Sequence, residues 1–256
     1  MNKSNDFTTN LSSAKRERPV IAIDGPAGAG KSTVAAHLAR RFGFLNLETG
    51  AMYRALALKA IENDLSFDEE QPLLNLASGT RILLEPQREG NRVLLDGIDV
   101  SRRVRDTDVT SAASRVSVHP RVRAWMVEQQ RKLGAKGGIV MEGRDIGTAV
   151  FPDAEVKIFL DASPEVRGDR RYRQVVLPRF EEESAGGDTI VPEQTEAQQK
   201  ILRDLKERDE RDRNRAESPL RPAADAIILD STGMTLDQVL AETERIVKEH
   251  LANNSL

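Results

Sequence analysis

The sequence predicts an α/β fold, a doubly wound parallel sheet of five strands flanked by helices, with an antiparallel β insert and a lid. Two observations favour it. Near the N-terminus an apolar run, a glycine-rich loop and a helical pattern follow one another. Further apolar runs recur along the chain, each before a helical pattern, as in parallel sheets whose strands are joined by helices.

The first strand is predicted over residues 20–24, an apolar run typical of a buried parallel strand. Residues 25–32 then fit G-x-x-x-x-G-K-[ST], and helical spacing runs from Thr33 to Phe42, before Gly43. A glycine-rich turn is the alternative, but strand, loop and helix stand in the order that the motif requires. Backbone N–H groups of such a loop surround a polyphosphate, its lysine reaches the β- and γ-phosphates, and its hydroxyl binds Mg²⁺. The predicted nucleotide-binding residues are Gly25, Pro26, Ala27, Gly28, Ala29, Gly30, Lys31, Ser32 and Thr33, with Lys31 catalytic and Ser32 the metal ligand.

The remaining strands of the sheet follow in order. A second strand is predicted over 44–48, before a helix from about 50 to 63, and three more lie at 138–141, 156–160 and 226–229. Ligands of such sheets bind beyond the carboxyl ends of the strands. The acidic residues expected near this edge are Asp24, Glu48, Glu142, Asp161 and Asp230.

Two segments interrupt the alternation. Residues 80–85 and 91–96, joined by 86–90, predict a β-hairpin. Residues 176–198 lack periodicity and are rich in acid and glycine, which predicts a mobile loop, either a lid that excludes water or a surface loop without a role. The expected organisation is a disordered tail over 1–18 and one domain over 19–252. That domain comprises a core (about 19–62, 136–172 and 200–252), an insert that binds the monophosphate (about 63–135) and a lid (about 173–199).

Composition excludes several classes of protein. The 256 residues carry a net charge of -3, which argues against general binding to nucleic acid or to an anionic membrane. The chain has no cysteine, and its three histidines lie far apart, which excludes disulfides and makes a zinc site improbable. Neither a signal peptide nor an apolar run of membrane-spanning length is recognisable. We expect a cytoplasmic monomer that acts on small molecules.

Arginines are concentrated in segments 167–173 and 203–215 and at Arg144, which follows a predicted strand. Phosphoryl transfer needs cations around the transferred group more than covalent chemistry by the protein. Several arginine groups near one phosphate-binding loop therefore favour a kinase whose acceptor is itself phosphorylated.

Segment 203–215 has a second interpretation. It fits a solvated helix held by pairs four residues apart, Glu207 with Arg211 and Asp209 with Arg213. If the segment instead lines the site, helical spacing places on one face Arg208, either Arg211 or Asp212, and Arg215.

The chain resembles the bacterial cytidylate kinases over nearly its whole length, from Val20 to the helix near His250. The segments that carry the resemblance are the phosphate-binding loop and Ile23–Pro26, Thr49–Arg54, Ala112–Ser114, His119–Arg123, Gly143–Thr148, Phe151–Ala154 and Arg208–Arg215. The resemblance implies an enzyme of pyrimidine nucleotide metabolism that uses ATP and Mg²⁺ to convert CMP or dCMP to CDP or dCDP.

The resemblance also implies roles for individual residues. Thr49, Ser114, Arg123 and Asp145 would line the cytosine pocket. Arg208 and Asp212 would hold the ribose hydroxyls, and Arg54, Arg144 and Arg215 the acceptor phosphate. The residues given catalytic roles are Lys31, Arg144, Arg215 and the lid arginines Arg170 and Arg171.

Three alternatives remain open at this point. The acceptor could be AMP, UMP or a metabolite such as shikimate. A nucleotide-dependent switch is a different class of protein, against which the chain has no Asn-Lys-x-Asp guanine-reading motif. A scaffold that binds nucleotide without catalysis is disfavoured because Lys31, Ser32 and the arginines are all present.

Overall fold

The computed structural model describes residues 16–87, 90–175 and 192–253; the predicted tail up to residue 15 and the centre of the predicted lid, 176–191, lie outside the described residues. No helix in these ranges is long and apolar enough to cross a membrane. The strands are β1 Val20–Asp24, β2 Leu45–Glu48, β3 Ile82–Pro86, β4 Asn91–Leu95, β5 Ile98–Asp99, β6 Ile139–Gly143, β7 Val156–Asp161 and β8 Ile227–Asp230. The α-helices are α1 Lys31–Phe42, α2 Thr49–Glu62, α3 Glu70–Ser78, α4 Thr107–Val116, α5 Pro120–Gly134, α6 Pro164–Val175, α7 Pro192–Asn214 and α8 Leu236–Asn253.

The central sheet is parallel, with five strands in the order β2-β6-β1-β7-β8. Successive side chains of β1 point to opposite faces, so that Val20 and Ala22 enter one hydrophobic core while Ile21 and Ile23 enter the other. Helices cover both faces, which explains why the central strands β6, β1 and β7 are buried along nearly their whole length without alternation. The predicted doubly wound fold is confirmed.

The insert contains a three-stranded antiparallel sheet in the order β3-β4-β5. The predicted hairpin is confirmed, with Ile82 opposite Leu95 and Pro86 opposite Asn91. Strand β5 was not predicted, because two residues are too few for a periodic pattern. Leu84, Val93 and Leu95 join the same hydrophobic core as Val20, so the insert packs against the central sheet.

Helix α7 differs from the sequence prediction at its start. A loop was predicted up to residue 198, but α7 begins at Pro192, and the prediction is wrong for 192–198. Proline is favoured in the first helical turn, and the glutamates and glutamines that follow are good helix formers. The acid-rich composition that predicted a loop is equally compatible with an exposed helix.

Candidate active site

The loop between β1 and α1 has the geometry of a phosphate-binding loop. Gly25, Gly28 and Gly30 all have positive φ. At Gly25 a side chain is also sterically excluded, because its Cβ would lie 2.0 Å from the backbone oxygen of Leu160. The loop ends at the N-terminus of α1, where free N–H groups and the helix dipole favour an anion.

Lys31 is buried at the start of α1, and its Nζ donates a hydrogen bond to the Pro26 carbonyl at 2.7 Å. Burial, followed by the charge of Arg144, lowers the pKa of Lys31 to about 7, and the charge of Glu142 partly opposes this shift. A polyphosphate would supply the counter-charge that this ammonium group lacks. The position fits the role predicted for Lys31.

Ser32 and Glu142 form a pair of oxygen ligands beside the loop. The Ser32 hydroxyl donates to a carboxylate oxygen of Glu142, which lies buried on β6 next to β1. Burial raises the pKa of Glu142, and the nearby charge of Glu48 adds to the effect. No described group of three or more His, Cys, Asp or Glu side chains could hold a metal on its own. Magnesium commonly takes one or two protein ligands and completes its shell with phosphate oxygens and water, which fits this pair.

Glu142 is one of the five acidic residues that the sequence predicts at the active edge without a role. Its contact with Ser32 depends on β6 lying beside β1, although the two strands are far apart in the chain. The available signal was an acidic residue directly after the predicted strand 138–141. The strand order, which the sequence did not provide, was needed to interpret it.

A buried ion pair forms the centre of the predicted acceptor pocket. Arg123 donates to Asp145, and their side chains are only 3% and 7% exposed. The Arg123 guanidinium also lies 5.6 Å from the ring centroid of Tyr53. Several buried polar atoms of this pocket have no hydrogen-bond partner: Tyr53 OH, Ser114 Oγ and Arg123 Nε. Such groups are rare in native structures and indicate a place for a polar ligand.

The C-terminal half of α7 and the residue that follows the helix bring Arg208, Asp212 and Arg215 to this pocket. Asp212 accepts from Arg144 Nε at 3.0 Å and from Arg215 Nη1 at 3.5 Å. Arg215 Nη2 lies 4.0 Å from an Asp145 oxygen, and this nitrogen is buried without a hydrogen-bond partner. Arg208 likewise has a buried, unpartnered Nε, and burial followed by the charge of Arg144 lowers its pKa to about 10. The unpartnered arginine nitrogens favour an anionic ligand.

Arg54 approaches from α2 and is held by Glu48. Its Nη2 donates to a Glu48 carboxylate oxygen at 2.5 Å, and its Nε is buried without a partner. Burial acts to raise the pKa of Glu48, but the Arg54 charge and hydrogen bond outweigh it and the pKa is lowered. Thr49 donates its hydroxyl hydrogen to the Glu142 carbonyl at 2.7 Å, which leaves the oxygen of this side chain as an acceptor.

The two lid arginines face different parts of the site. Arg170 donates to the Ser231 carbonyl at 2.9 Å and reaches the Ala29 carbonyl of the phosphate-binding loop at 3.4 Å. Arg171 contacts Gln174 at 3.0 Å; burial lowers its pKa, and the Arg54 charge adds to this. Arg170 therefore lies on the side of the loop, whereas Arg171 lies within electrostatic range of Arg54.

Arg167, which the sequence grouped with these arginines, has a structural role instead. It is buried and donates to the carbonyls of Ala27 at 2.9 Å and Ala162 at 2.8 Å. It also forms an ion pair of 2.6 Å with Asp209.

The alternative in which α7 is a solvated helix with pairs four residues apart is wrong for both pairs. In the described part of α7, neither pair forms. Asp209 is buried against Arg167, and Arg211 contacts only the Glu207 backbone carbonyl, at 3.4 Å. The helix is positioned by the site rather than by its own charge pairs.

A strand-bounded phosphate-binding loop facing an arginine-lined acceptor pocket defines a phosphotransferase of the P-loop class. The profile of the cytidylate kinase family matches residues 21–249. The chain belongs to this family.

Individual relatives agree with the profile. A cytidylate kinase of Aeromonas salmonicida is 43% identical over 93% of this chain and 97% of its own length. One from Geobacter sp. is 44% identical over 94% and 98%, and one from Pelotomaculum thermopropionicum is 49% identical over 87% and 92%. Among solved structures, a shikimate kinase from Acinetobacter baumannii in complex with shikimate aligns over 93% of this chain and 96% of its own, with 15% identity and a TM-score of 0.38. That likeness is too low to bear on the acceptor.

Proposed function

We propose that this chain transfers the γ-phosphoryl group of ATP to CMP or dCMP, giving CDP or dCDP and ADP. Family membership supports the reaction. The identity of the acceptor is inferred from the buried Arg123–Asp145 pair, together with the unpartnered polar atoms of Tyr53 and Ser114. A pocket built this way loses free energy when it is empty and recovers it when a base with matching donors and acceptors binds.

Cytosine complements this pocket. The Asp145 carboxylate accepts from the exocyclic amine, and Arg123 donates to the acceptor atoms of the ring. Uracil carries a carbonyl where cytosine carries the amine, so that a carboxylate would face an acceptor. Ser114 and Thr49 supply the remaining polar contacts with the base.

Charged side chains bind the ribose and the phosphate of the acceptor. We assign Arg208 and Asp212 to the ribose hydroxyls and Arg54, Arg144 and Arg215 to the phosphate. The unpartnered nitrogens of Arg54, Arg208 and Arg215 support this assignment. The phosphate is already mostly ionised near neutral pH, since its second pKa is about 6, so no general base is needed.

On the donor side we assign the polyphosphate of ATP to the loop 25–33, with Lys31 reaching the transferred group. Ser32 and Glu142 would hold Mg²⁺, which supplies charge neutralisation of the phosphates when bound. Arg171 and Arg144 surround the transferred group, while Arg170 contacts the loop itself. These groups stabilise the charge that spreads over the equatorial oxygens during transfer.

The test is steady-state ADP release from ATP and Mg²⁺ with CMP, dCMP, UMP, AMP, GMP, shikimate and no acceptor in parallel. We expect rapid turnover with CMP and dCMP only. Equal turnover on several monophosphates would retain the kinase and reject the base-reading pocket. Release that does not depend on any acceptor would reject phosphoryl transfer to a small molecule and favour a nucleotide switch.

A further inference from the structure

Asn91 is a buried polar residue of the insert that the proposed reaction does not use. It begins β4 directly after the hairpin turn and is only 5% exposed. Buried amide side chains are costly unless they are hydrogen-bonded, so the contacts of this one show what the position is for.

Both ends of the Asn91 amide bind the backbone of β2. Its Oδ1 accepts from the Glu48 N–H at 2.8 Å, and its Nδ2 donates to the Asn46 carbonyl at 2.7 Å. Strand β2 lies at the edge of the five-stranded sheet and has no further strand beside it in the sheet. The amide therefore pairs with backbone groups that an edge strand leaves open, at the carboxyl end of the strand.

The backbone held in this way carries the partner of Arg54. Glu48 is the last residue of β2, and α2 begins at the next residue. Its carboxylate binds Arg54 Nη2 at 2.5 Å, and the unpartnered Nε of Arg54 is buried. A shift of the end of β2 would move Glu48. Arg54 would then either move with the Glu48 carboxylate or lose its hydrogen bond to it.

We propose that Asn91 is a positioning residue that fixes Glu48, and through it Arg54, for the phosphate group of the acceptor. The inference rests on the proposed function, in which Arg54 binds that phosphate. It also assigns the hairpin a purpose: the turn delivers one amide to the edge of the central sheet. Asn91 itself touches neither substrate.

The test compares ligands that differ only in the phosphate. Asn91→Asp keeps an acceptor for the Glu48 N–H but places a carboxylate against the Asn46 carbonyl, and Asn91→Ala removes both hydrogen bonds without adding charge. We expect each variant to weaken CMP binding about tenfold by titration calorimetry, with the affinity for cytidine and the KM for ATP changed less than twofold. The matched control is Asn75→Ala, an exposed asparagine on α3 whose side chain accepts a hydrogen bond from Gln71; the affinity for each ligand should stay unchanged.

Equal loss of CMP and cytidine affinity would show general loosening of the pocket and overturn the inference. So would unchanged CMP affinity in either variant, with folding verified by circular dichroism. Arg54→Ala, measured in parallel, distinguishes a failure of the positioning role of Asn91 from a failure of the phosphate site itself. If it weakens CMP relative to cytidine and the Asn91 variants do not, only the positioning role fails. If Arg54→Ala itself shows no phosphate-specific loss, the proposed phosphate site fails and takes the role of Asn91 with it. Combining Asn91→Asp with Arg54→Ala should add no further loss, because both act on one contact.

Discussion

The donor and acceptor sides of the site are built in different ways. On the donor side, the key polar groups are paired within the protein: Lys31 with the Pro26 carbonyl, and Ser32 with Glu142. On the acceptor side, Tyr53, Ser114, Arg54, Arg123, Arg208 and Arg215 each keep a buried polar atom without a hydrogen-bond partner. The functional side chains of the donor loop have partners within the protein, whereas several side chains of the acceptor pocket keep unpartnered polar atoms.

The difference follows from how each side is assembled. The donor loop is one continuous segment whose glycine backbone supplies most of the binding groups. The acceptor pocket collects side chains from α2, α4, α5, α7 and the turn after β6, far apart in the chain. Lys31 and Ser32 find partners in the same segment or on the neighbouring strand β6. Converging arginines instead repel one another and require a ligand to balance them. We therefore expect the acceptor, more than ATP, to rigidify this protein.

The largest effect should come from the donor side. Lys31→Ala should lower kcat/KM for ATP by roughly 10³-fold, because the positive charge that stabilises the transferred phosphoryl group is lost from a buried site. Its stability should not fall, since burial already lowers the pKa of Lys31 to about 7 and its removal relieves that desolvation. The affinity for CMP should not change. Steady-state kinetics, CMP titration and thermal unfolding measure these three quantities.

Lys248→Ala, on α8 and half exposed, is the matched control and should leave all three quantities unchanged. A loss below tenfold in kcat/KM would contradict the role of Lys31. Weaker CMP binding in Lys31→Ala would contradict the claim that the donor and acceptor sides bind their ligands independently.

The next effect should come from the centre of the acceptor pocket. Asp145→Ala leaves Arg123 buried without its counter-charge, which should destabilise the protein by about 3 kcal/mol and lower the preference for CMP over UMP at least tenfold. Urea unfolding and kcat/KM for both acceptors check this. Glu249→Ala removes an ion pair whose side chains are 54–55% exposed, and should leave both the stability and the preference for CMP unchanged. An unchanged preference for CMP would exclude Asp145 from reading the base.

The two sides also differ in what could be predicted from the sequence. The donor loop was predicted residue by residue, because its motif is local and its context of strand and helix is local too. On the acceptor side, Arg144, Arg215 and Asp212 were predicted through a family resemblance, and the structure brings them together. Composition and periodicity alone left the segment 203–215, which contains Asp212 and Arg215, also compatible with a solvated surface helix.

The residues that the sequence did not reveal act across strands and turns. Glu142 contacts Ser32 only because β6 lies beside β1, and Asn91 contacts Glu48 only because the hairpin folds back onto β2. Arg167 resembled its arginine neighbours until its burial against Asp209 was seen. In each case the missing information was the spatial neighbour, which no local pattern contains.

Asp24 joins the two sides, and its titration gives the smallest of these effects. It ends β1 before the phosphate-binding loop, and its two carboxylate oxygens accept the N–H groups of Ile146 and Gly147, each at 2.7 Å, directly after Asp145. Burial raises the pKa of Asp24 from 3.8 to about 6, and the two N–H groups only partly offset it. Between these values the folded state binds more protons than the unfolded state, so this carboxyl makes the protein less stable as pH rises.

The wild type should therefore lose about 2 kcal/mol of unfolding free energy relative to Asp24→Asn between pH 4.5 and pH 7, since the asparagine does not titrate. Urea unfolding of both proteins at the two pH values measures this difference. Any cost of the substitution that is independent of pH cancels, and so do the other carboxyl groups. Glu249→Gln, which alters an exposed ion pair, should show no comparable change. If the difference in unfolding free energy between the wild type and Asp24→Asn stayed constant, Asp24 would be ionised at both pH values. A permanent buried charge would then lie between the phosphate-binding loop and the base pocket.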